Sequence, residues 1–166
     1  MSLMMTGVTV GQMSGQMTTA QADTSTDTTV ANVEVGLAIT LTELTPTFTL
    51  SGNPGDTVTD ADAVTMRVTT NNFAGYSVTV QPTSPNLTPS IGSNTDVIPM
   101  NLLEVSGPIQ AGAYVPLNPA VPVQVARKDE RSVDDGDVIT NGYRITIPAV
   151  RPDTYSGTLL YSAITL

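Results

Sequence analysis

Apolar and polar residues alternate with a period of two along most of this chain. The pattern is sharpest where Val33, Val35, Leu37, Ile39 and Leu41 fall on one face and Glu34, Gly36, Ala38, Thr40 and Thr42 on the other. Successive side chains of an extended backbone point to opposite sides, so this spacing predicts one long strand over 33–41. Phe48 and Leu50 then alternate with Thr47 and Thr49 and run into the turn residues Ser51-Gly52-Asn53-Pro54-Gly55-Asp56. Val64, Met66 and Val68 precede Asn71-Asn72-Phe73-Ala74-Gly75, and Tyr76, Val78 and Val80 follow it, which predicts a hairpin with positive φ at an Asn or at Gly75. Pro82, Pro85, Pro89, Pro99, Pro108, Pro116, Pro119 and Pro122 mark the middle as loops and edge pieces, closed by a short strand over 121–125. Proline has no N–H to give a central ladder. Asp134-Asp135-Gly136-Asp137 predicts a turn, after which Tyr143, Ile145 and Ile147 alternate up to Pro148. A last strand over 155–166 carries Tyr155, Leu159, Tyr161 and Ala163 on one face and Leu160, Ile164 and Leu166 on the other, the mark of a central or covered strand. No helical stripe of useful length and no fixed repeat interrupts this series. Seven or eight strands separated by turns predict an all-β fold, an antiparallel β-sandwich of Ig-like or jelly-roll-like type over 32–166.

Composition agrees with the pattern. Threonine (27 residues) and valine (19) lead, and both are β-branched residues suited to a pleated surface. A chain of 166 residues is long enough to bury a core without covalent staples, and it has none, because cysteine is absent. Without His or Cys there is no imidazole base, no thiolate and no zinc site of the usual kind, so most hydrolytic and redox mechanisms lack their parts. The expectation is a non-enzyme. A net charge of −9, with Lys128 the single lysine, has the wrong sign for phosphate backbones or anionic lipid, which excludes nucleic acid as a partner. Few lysines and much Thr, Ser, Asn and Gly suit an exported protein.

The N-terminal region points the same way. Five of the seven methionines lie in the first seventeen positions, with no charged side chain before Asp23. Ala20-Gln21-Ala22 then supplies the small-x-small pattern of a signal-peptidase site. Residues 1–22 are therefore expected to be a leader or the remnant of a signal peptide, although no Lys or Arg opens it and glycines dilute its apolar run. The mature chain would start at Asp23. Residues 23–31, rich in Thr and Asp, read as a flexible linker. No run of 18 apolar residues exists, so no membrane-spanning helix is expected.

Three groups of residues carry candidate chemistry. Asp134, Asp135 and Asp137 crowd one turn and form a candidate calcium site, since Ca²⁺ takes six to eight oxygen ligands; they do not match the longer EF-hand loop. An Asp/Gly turn with solvated charge is the simpler reading, and it applies also to Asp56, Asp60 and Asp62. No obligatory cofactor is expected. A carboxylate pair could run glycoside hydrolysis, but sugar sites want aromatic platforms, and two Phe and five Tyr supply few. The same shortage weighs against a lectin, and the Asn86-Leu87-Thr88 sequon is a frequent chance match. Finally, a long apolar strand behind a linker can pair in its own sheet or along the edge of a neighbouring copy, and head-to-tail donation of it would build a fibre or coat.

Two segments carry a resemblance. Val68-Thr69-Thr70-Asn71-Asn72-Phe73-Ala74-Gly75-Tyr76-Ser77-Val78-Thr79-Val80 resembles the T-N-N-x-x-G-Y-x-V-x-V hairpin of secreted surface proteins of Gram-positive bacteria. Gly136-Asp137 through Asn141-Gly142-Tyr143-Arg144-Ile145-Thr146-Ile147-Pro148, followed by Arg151-Pro152-Asp153-Thr154-Tyr155-Ser156-Gly157-Thr158-Leu159-Leu160-Tyr161, is similar to the closing strands of actinobacterial secreted β-sandwich proteins, and distantly to the WxL surface group. The two segments cover about a quarter of the chain. The resemblance implies an exported, non-catalytic cell-surface domain of structural or adhesive role, meeting a protein or cell-envelope component or another copy of itself. It does not imply wall binding, because the Trp that names the WxL group is absent.

Overall fold

The computed structural model describes residues 23–166, so the segment 1–22, expected from the sequence to be a leader, lies outside the described residues. The chain divides into two units, Met1–Glu34 and Val35–Leu166. In the first, residues 23–34 are exposed and carry no strand. The second is an antiparallel β-sandwich, built from β1 (Ile39–Thr42), β2 (Thr57–Thr70), β3 (Tyr76–Pro82), β4 (Asn86–Pro89), β5 (Ile98–Pro99), β6 (Leu103–Ser106), β7 (Val115–Pro116), β8 (Val123–Lys128), β9 (Asp137–Thr146), β10 (Tyr155–Ser156) and β11 (Leu159–Thr165). A five-stranded sheet of order β1-β2-β9-β6-β7 packs on two three-stranded sheets, β11-β3-β8 and β10-β4-β5. Two single 3₁₀ turns, Met100–Leu102 and Pro108–Gln110, complete the unit.

The alternation of the sequence explains the core. Val64, Met66 and Val68 of β2 and Ile139, Tyr143 and Ile145 of β9 point inward from one sheet. Tyr76, Val78 and Val80 of β3 meet them from the other and are at most 2% exposed. The outer faces carry threonine, which forms hydroxyl pairs across strands such as Thr57 with Thr146 at 2.8 Å.

Several elements differ from the sequence reading. The segment over 64–80 is not a paired hairpin: β2 pairs with β1 and β9, and β3 with β11 and β8. Its loop carries the chain between layers, because both strands bury their apolar faces and must therefore face each other across the core. The long strand over 33–41 shrinks to β1, since Ile39 lies opposite Thr70 and β2 ends there, leaving earlier residues no ladder to join. Phe48 and Leu50 form no strand. Strand β1 stops at Glu43, whose φ is 54°, and beyond it the Thr45 N–H meets the Thr65 carbonyl at 2.9 Å, one residue out of the β1–β2 register. The proline-rich middle hides an interior strand, β6, between β9 and β7, in a stretch that proline leaves free. Pro99 and Pro116 sit in the edge strands β5 and β7, as a missing N–H requires. The short strand expected over 121–125 begins two residues later, as β8. The last strand breaks at Gly157-Thr158 into β10 and β11, and β11 is an edge strand rather than a central one.

Candidate functional site

The acidic candidates take separate partners. Asp137, the first residue of β9, receives Tyr76 Oη at 2.9 Å, Lys128 Nζ at 3.1 Å and the Val133 N–H at 3.3 Å. Burial alone would raise its pKa, but those donors and the lysine charge hold its carboxyl below the usual range. Asp134 is exposed and pairs with Arg131 at 3.6 Å, while Asp135 gives its backbone carbonyl to Arg67 Nη1 at 3.0 Å. Asp56 closes the Asn53 turn through the Asn53 N–H at 2.8 Å, and Asp60 accepts the Asp62 N–H at 3.0 Å. Among the described residues, no three of His, Cys, Asp or Glu are gathered as a metal-binding group.

The cluster that does converge was not marked by the sequence pattern. Asp153 accepts from Ser90 Oγ, Asn94 Nδ2 at 3.0 Å, the Ile91 N–H at 3.0 Å and the Thr154 N–H at 2.7 Å. Burial opposes ionisation there too, yet the four donors outweigh it and hold the carboxyl far below the ordinary range. Folding thus favours the anions of Asp137 and Asp153. The stability they contribute is present above the unfolded carboxylate value of about 4 and is lost as pH falls through their lower folded values. We therefore expect Asp153→Asn to lower the urea midpoint at neutral pH, with the gap to wild type closing on acidification below about pH 4. A gap that is constant with pH would show that the carboxylate charge does not matter.

An apolar cleft of about 790 Å³ lies between the extended segment 44–54 and strands β10 and β11. Phe48, Leu50, Leu103, Ile145, Leu159 and Tyr161 line it. Phe48 stacks on the fully buried Tyr143, with ring centroids 4.5 Å apart. The Tyr143 and Tyr161 hydroxyls meet at 2.6 Å, and Asn141 Nδ2 donates to Tyr161 Oη at 3.2 Å. Burial pushes both phenols up; the neighbouring Tyr161 adds to the rise at Tyr143, whereas hydrogen bonds from Tyr143 and Asn141 moderate it at Tyr161. Neither serves as a base at ordinary pH. Asp153 is the one carboxylate on the cleft wall among the described residues, and its donors already occupy it. The cleft therefore lacks the facing carboxylate pair that glycoside hydrolysis uses.

Strand β11 forms one border of this cleft and ends its own sheet, with β1 of the five-stranded sheet lying near it. The bonds Thr83 N–H to Thr158 O and Leu166 N–H to Gly75 O fix which residues carry the ladder to β3, namely the even-numbered ones. The backbone groups of Leu159, Tyr161, Ala163 and Thr165 consequently point away from β3, where no strand among the described residues pairs with them. Their side chains face inward but are only half-buried, whereas Val78 and Val80 of the adjacent β3 are at 0% exposure. Leu160 and Ile164, on the other face, are 55% and 56% exposed. Apolar residues on both faces of 155–166, read from sequence as a central or covered strand, belong here to a strand with no hydrogen-bonded neighbour on its outer side. Val33, Val35 and Leu37 meanwhile stand 86%, 80% and 66% exposed. Compared with protein-family models and with curated proteins, the chain matches none.

Proposed function

We propose that this chain is a non-catalytic, exported β-sandwich with a structural or adhesive role at a cell surface, meeting a protein or cell-envelope component. The observation that carries this reading is the cleft. It offers apolar side chains beside a strand edge that has no hydrogen-bonded neighbour, features suited to binding polypeptide. The threonine-covered outer faces and the resemblance of the 68–80 and 136–161 segments to secreted surface proteins support it. No helix of the described residues is long and apolar enough to cross a membrane. A second reading, a self-assembling fibre or coat subunit, is favoured by the exposed Val33, Val35 and Leu37.

Mass spectrometry of the protein outside the cells that make it tests the proposal, and a mature start at Asp23 is the expected result. A full-length chain retained in the cytoplasm would overturn it. The same sample is expected to melt at one temperature with millimolar calcium or with chelator. A calcium ion at a hundred times its dissociation constant adds about 2.7 kcal/mol, so a rise of about 5 °C or more would instead establish Asp134, Asp135 and Asp137 as a site.

A further inference from the structure

We propose that residues 46–51 form a hinged strap that opens and closes over the apolar cleft independently of the rest of the sandwich, with Phe48 as its latch. The inference goes beyond the surface role above, since it concerns access to the cleft and holds whatever the cleft takes.

The strap arises from a change of phase along the chain. In β1 the odd-numbered Ile39 and Leu41 are half-buried, while Thr40 and Thr42 are exposed. Glu43 then takes a φ of 54°, left-handed backbone that is uncommon for a residue with a side chain, and Arg67 Nε donates to its carboxylate at 3.0 Å. That one residue moves the inward set to even numbers, so Phe48 and Leu50 pack against the core while Thr47 and Thr49 are exposed. No ladder forms again before β2 begins at Thr57.

The ends of the strap are fixed and its middle is not. Thr45 donates its N–H to the Thr65 carbonyl at 2.9 Å and receives the Thr65 N–H on its hydroxyl at 2.9 Å. At the far end the Asn53 N–H meets Asp56 Oδ2 at 2.8 Å, and the Gly55 N–H meets the Ile147 carbonyl at 2.8 Å. Gly52 is seated so closely there that a Cβ would lie 2.8 Å from Val58 Cγ2. Between these anchors, residues 46–51 make no hydrogen bond to the described residues. Phe48 and Leu50 alone among them escape full exposure, and neither is fully buried.

Closure is therefore a balance between a short apolar latch and the ordering of a segment that has no ladder. Opening gives up the Phe48–Tyr143 stack, with ring centroids 4.5 Å apart, and the half-burial of two side chains, and it returns conformational freedom to the strap. Global unfolding must instead expose Val64, Met66, Val68, Val78 and Val80, all at most 2% exposed. Opening of the strap is the smaller event and occurs first. It vacates the seat of Phe48 on Tyr143 and joins that seat to the cleft wall formed by Val64, Leu103 and Ile145.

The chain has no cysteine, so a single introduced thiol reports its own exposure. Val64 lines the cleft and is 2% exposed, whereas Val78 of β3 is 0% exposed and does not line it. In the full chain, Val64→Cys and Val78→Cys are each reacted with the thiol reagent DTNB, dilute enough for the rate to follow the open population. Without urea, Val64→Cys should react about tenfold faster than Val78→Cys or more. Its rate should change little at low urea, because little surface is uncovered, while that of Val78→Cys should climb steeply. Adding Phe48→Ala should speed Val64→Cys by about tenfold, since the ring is lost from the closed state alone. Ile145→Cys, on the same wall and 5% exposed, takes the place of Val64→Cys if that variant does not fold. Equal rates and equal urea slopes at the cleft and core positions overturn the proposal, because both thiols would then be reached only by global unfolding. A cleft thiol whose rate Phe48→Ala leaves unchanged overturns it as well, since Phe48 would then not be the latch.

Discussion

Replacing Tyr143 with alanine is expected to cost about 4 kcal/mol of folding free energy, and with it about 10 °C or more of melting temperature. Tyr143 sits in the middle of β9, which pairs with β2 on one side and β6 on the other, and it is fully buried. Its ring supports Phe48, the residue that holds the unpaired segment 46–50 against the sandwich. Its hydroxyl meets Tyr161 of β11 and so ties the two layers together beneath the cleft. Truncation removes the ring, leaves a cavity that the rigid β9 ladder cannot close, and strands the Tyr161 hydroxyl. Tyr143→Phe separates these contributions. It keeps the ring and the stack, and should cost about 1–3 kcal/mol for the polar groups left behind. The position has little slack, because Asn141 Oδ1 is already buried without a partner. Urea unfolding of the two variants gives the comparison. An alanine variant no less stable than the phenylalanine variant would mean that the Phe48 stack contributes nothing and that segment 46–50 is held elsewhere.

How much of this was legible in the sequence depends on whether a residue's environment is local. Alternation placed the inward faces of β2, β3 and β9 correctly, since Val64, Met66, Val78, Val80, Tyr143 and Ile145 need only a period of two to be sorted to the core. The Asp134–Asp137 turn was legible for the same reason: Gly136 takes a φ of 82° and its N–H bonds the Val133 carbonyl. Alternation says nothing about which strand lies next to which. It could not end β1 at Ile39, because that boundary is set by where β2 stops. Nor could it show that the 71–75 loop joins two layers, or that β6 is interior. The cleft was invisible for the same physical reason. Its walls come from residues 44–54, from Leu87, Ile98 and Leu103, and from residues between 145 and 161, which no local pattern brings together. The acidic turn shows the converse error. Asp137 was legible as one of three adjacent carboxylates, but its partners Tyr76 and Lys128 come from β3 and β8 and are found only by folding.

Gly75→Ala should be nearly as damaging as Tyr143→Ala, at about 3 kcal/mol or more, because a conformational cost of order 1–3 kcal/mol is joined there by a collision. Gly75 has a φ of 98°, a conformation that an L side chain rarely adopts. Its surroundings make the position worse. A Cβ there would overlap the Lys128 carbonyl oxygen and come within 2.8 Å of the Glu130 N–H, both of them backbone groups at the end of β8 that cannot swing away as a side chain would. Gly75 also anchors the sheet: its carbonyl accepts Asn72 Nδ2 at 2.8 Å and the Leu166 N–H at 3.1 Å, which fastens the last residue of the β11 ladder to the start of β3. Gly55 provides the control, with a φ of 94° and nothing within 4 Å of the place a methyl group would take, so Gly55→Ala carries the conformational cost without the collision. The difference in urea midpoint between the two variants therefore isolates the overlap with β8. Hydrogen exchange should accelerate in Gly75→Ala first at Leu166 and the neighbouring β11 amides, since those bonds share the displaced carbonyl. If the two alanine variants unfold at the same midpoint, the close approach of Gly75 to β8 is not what fixes the corner between the layers, and the strain at φ alone accounts for the glycine.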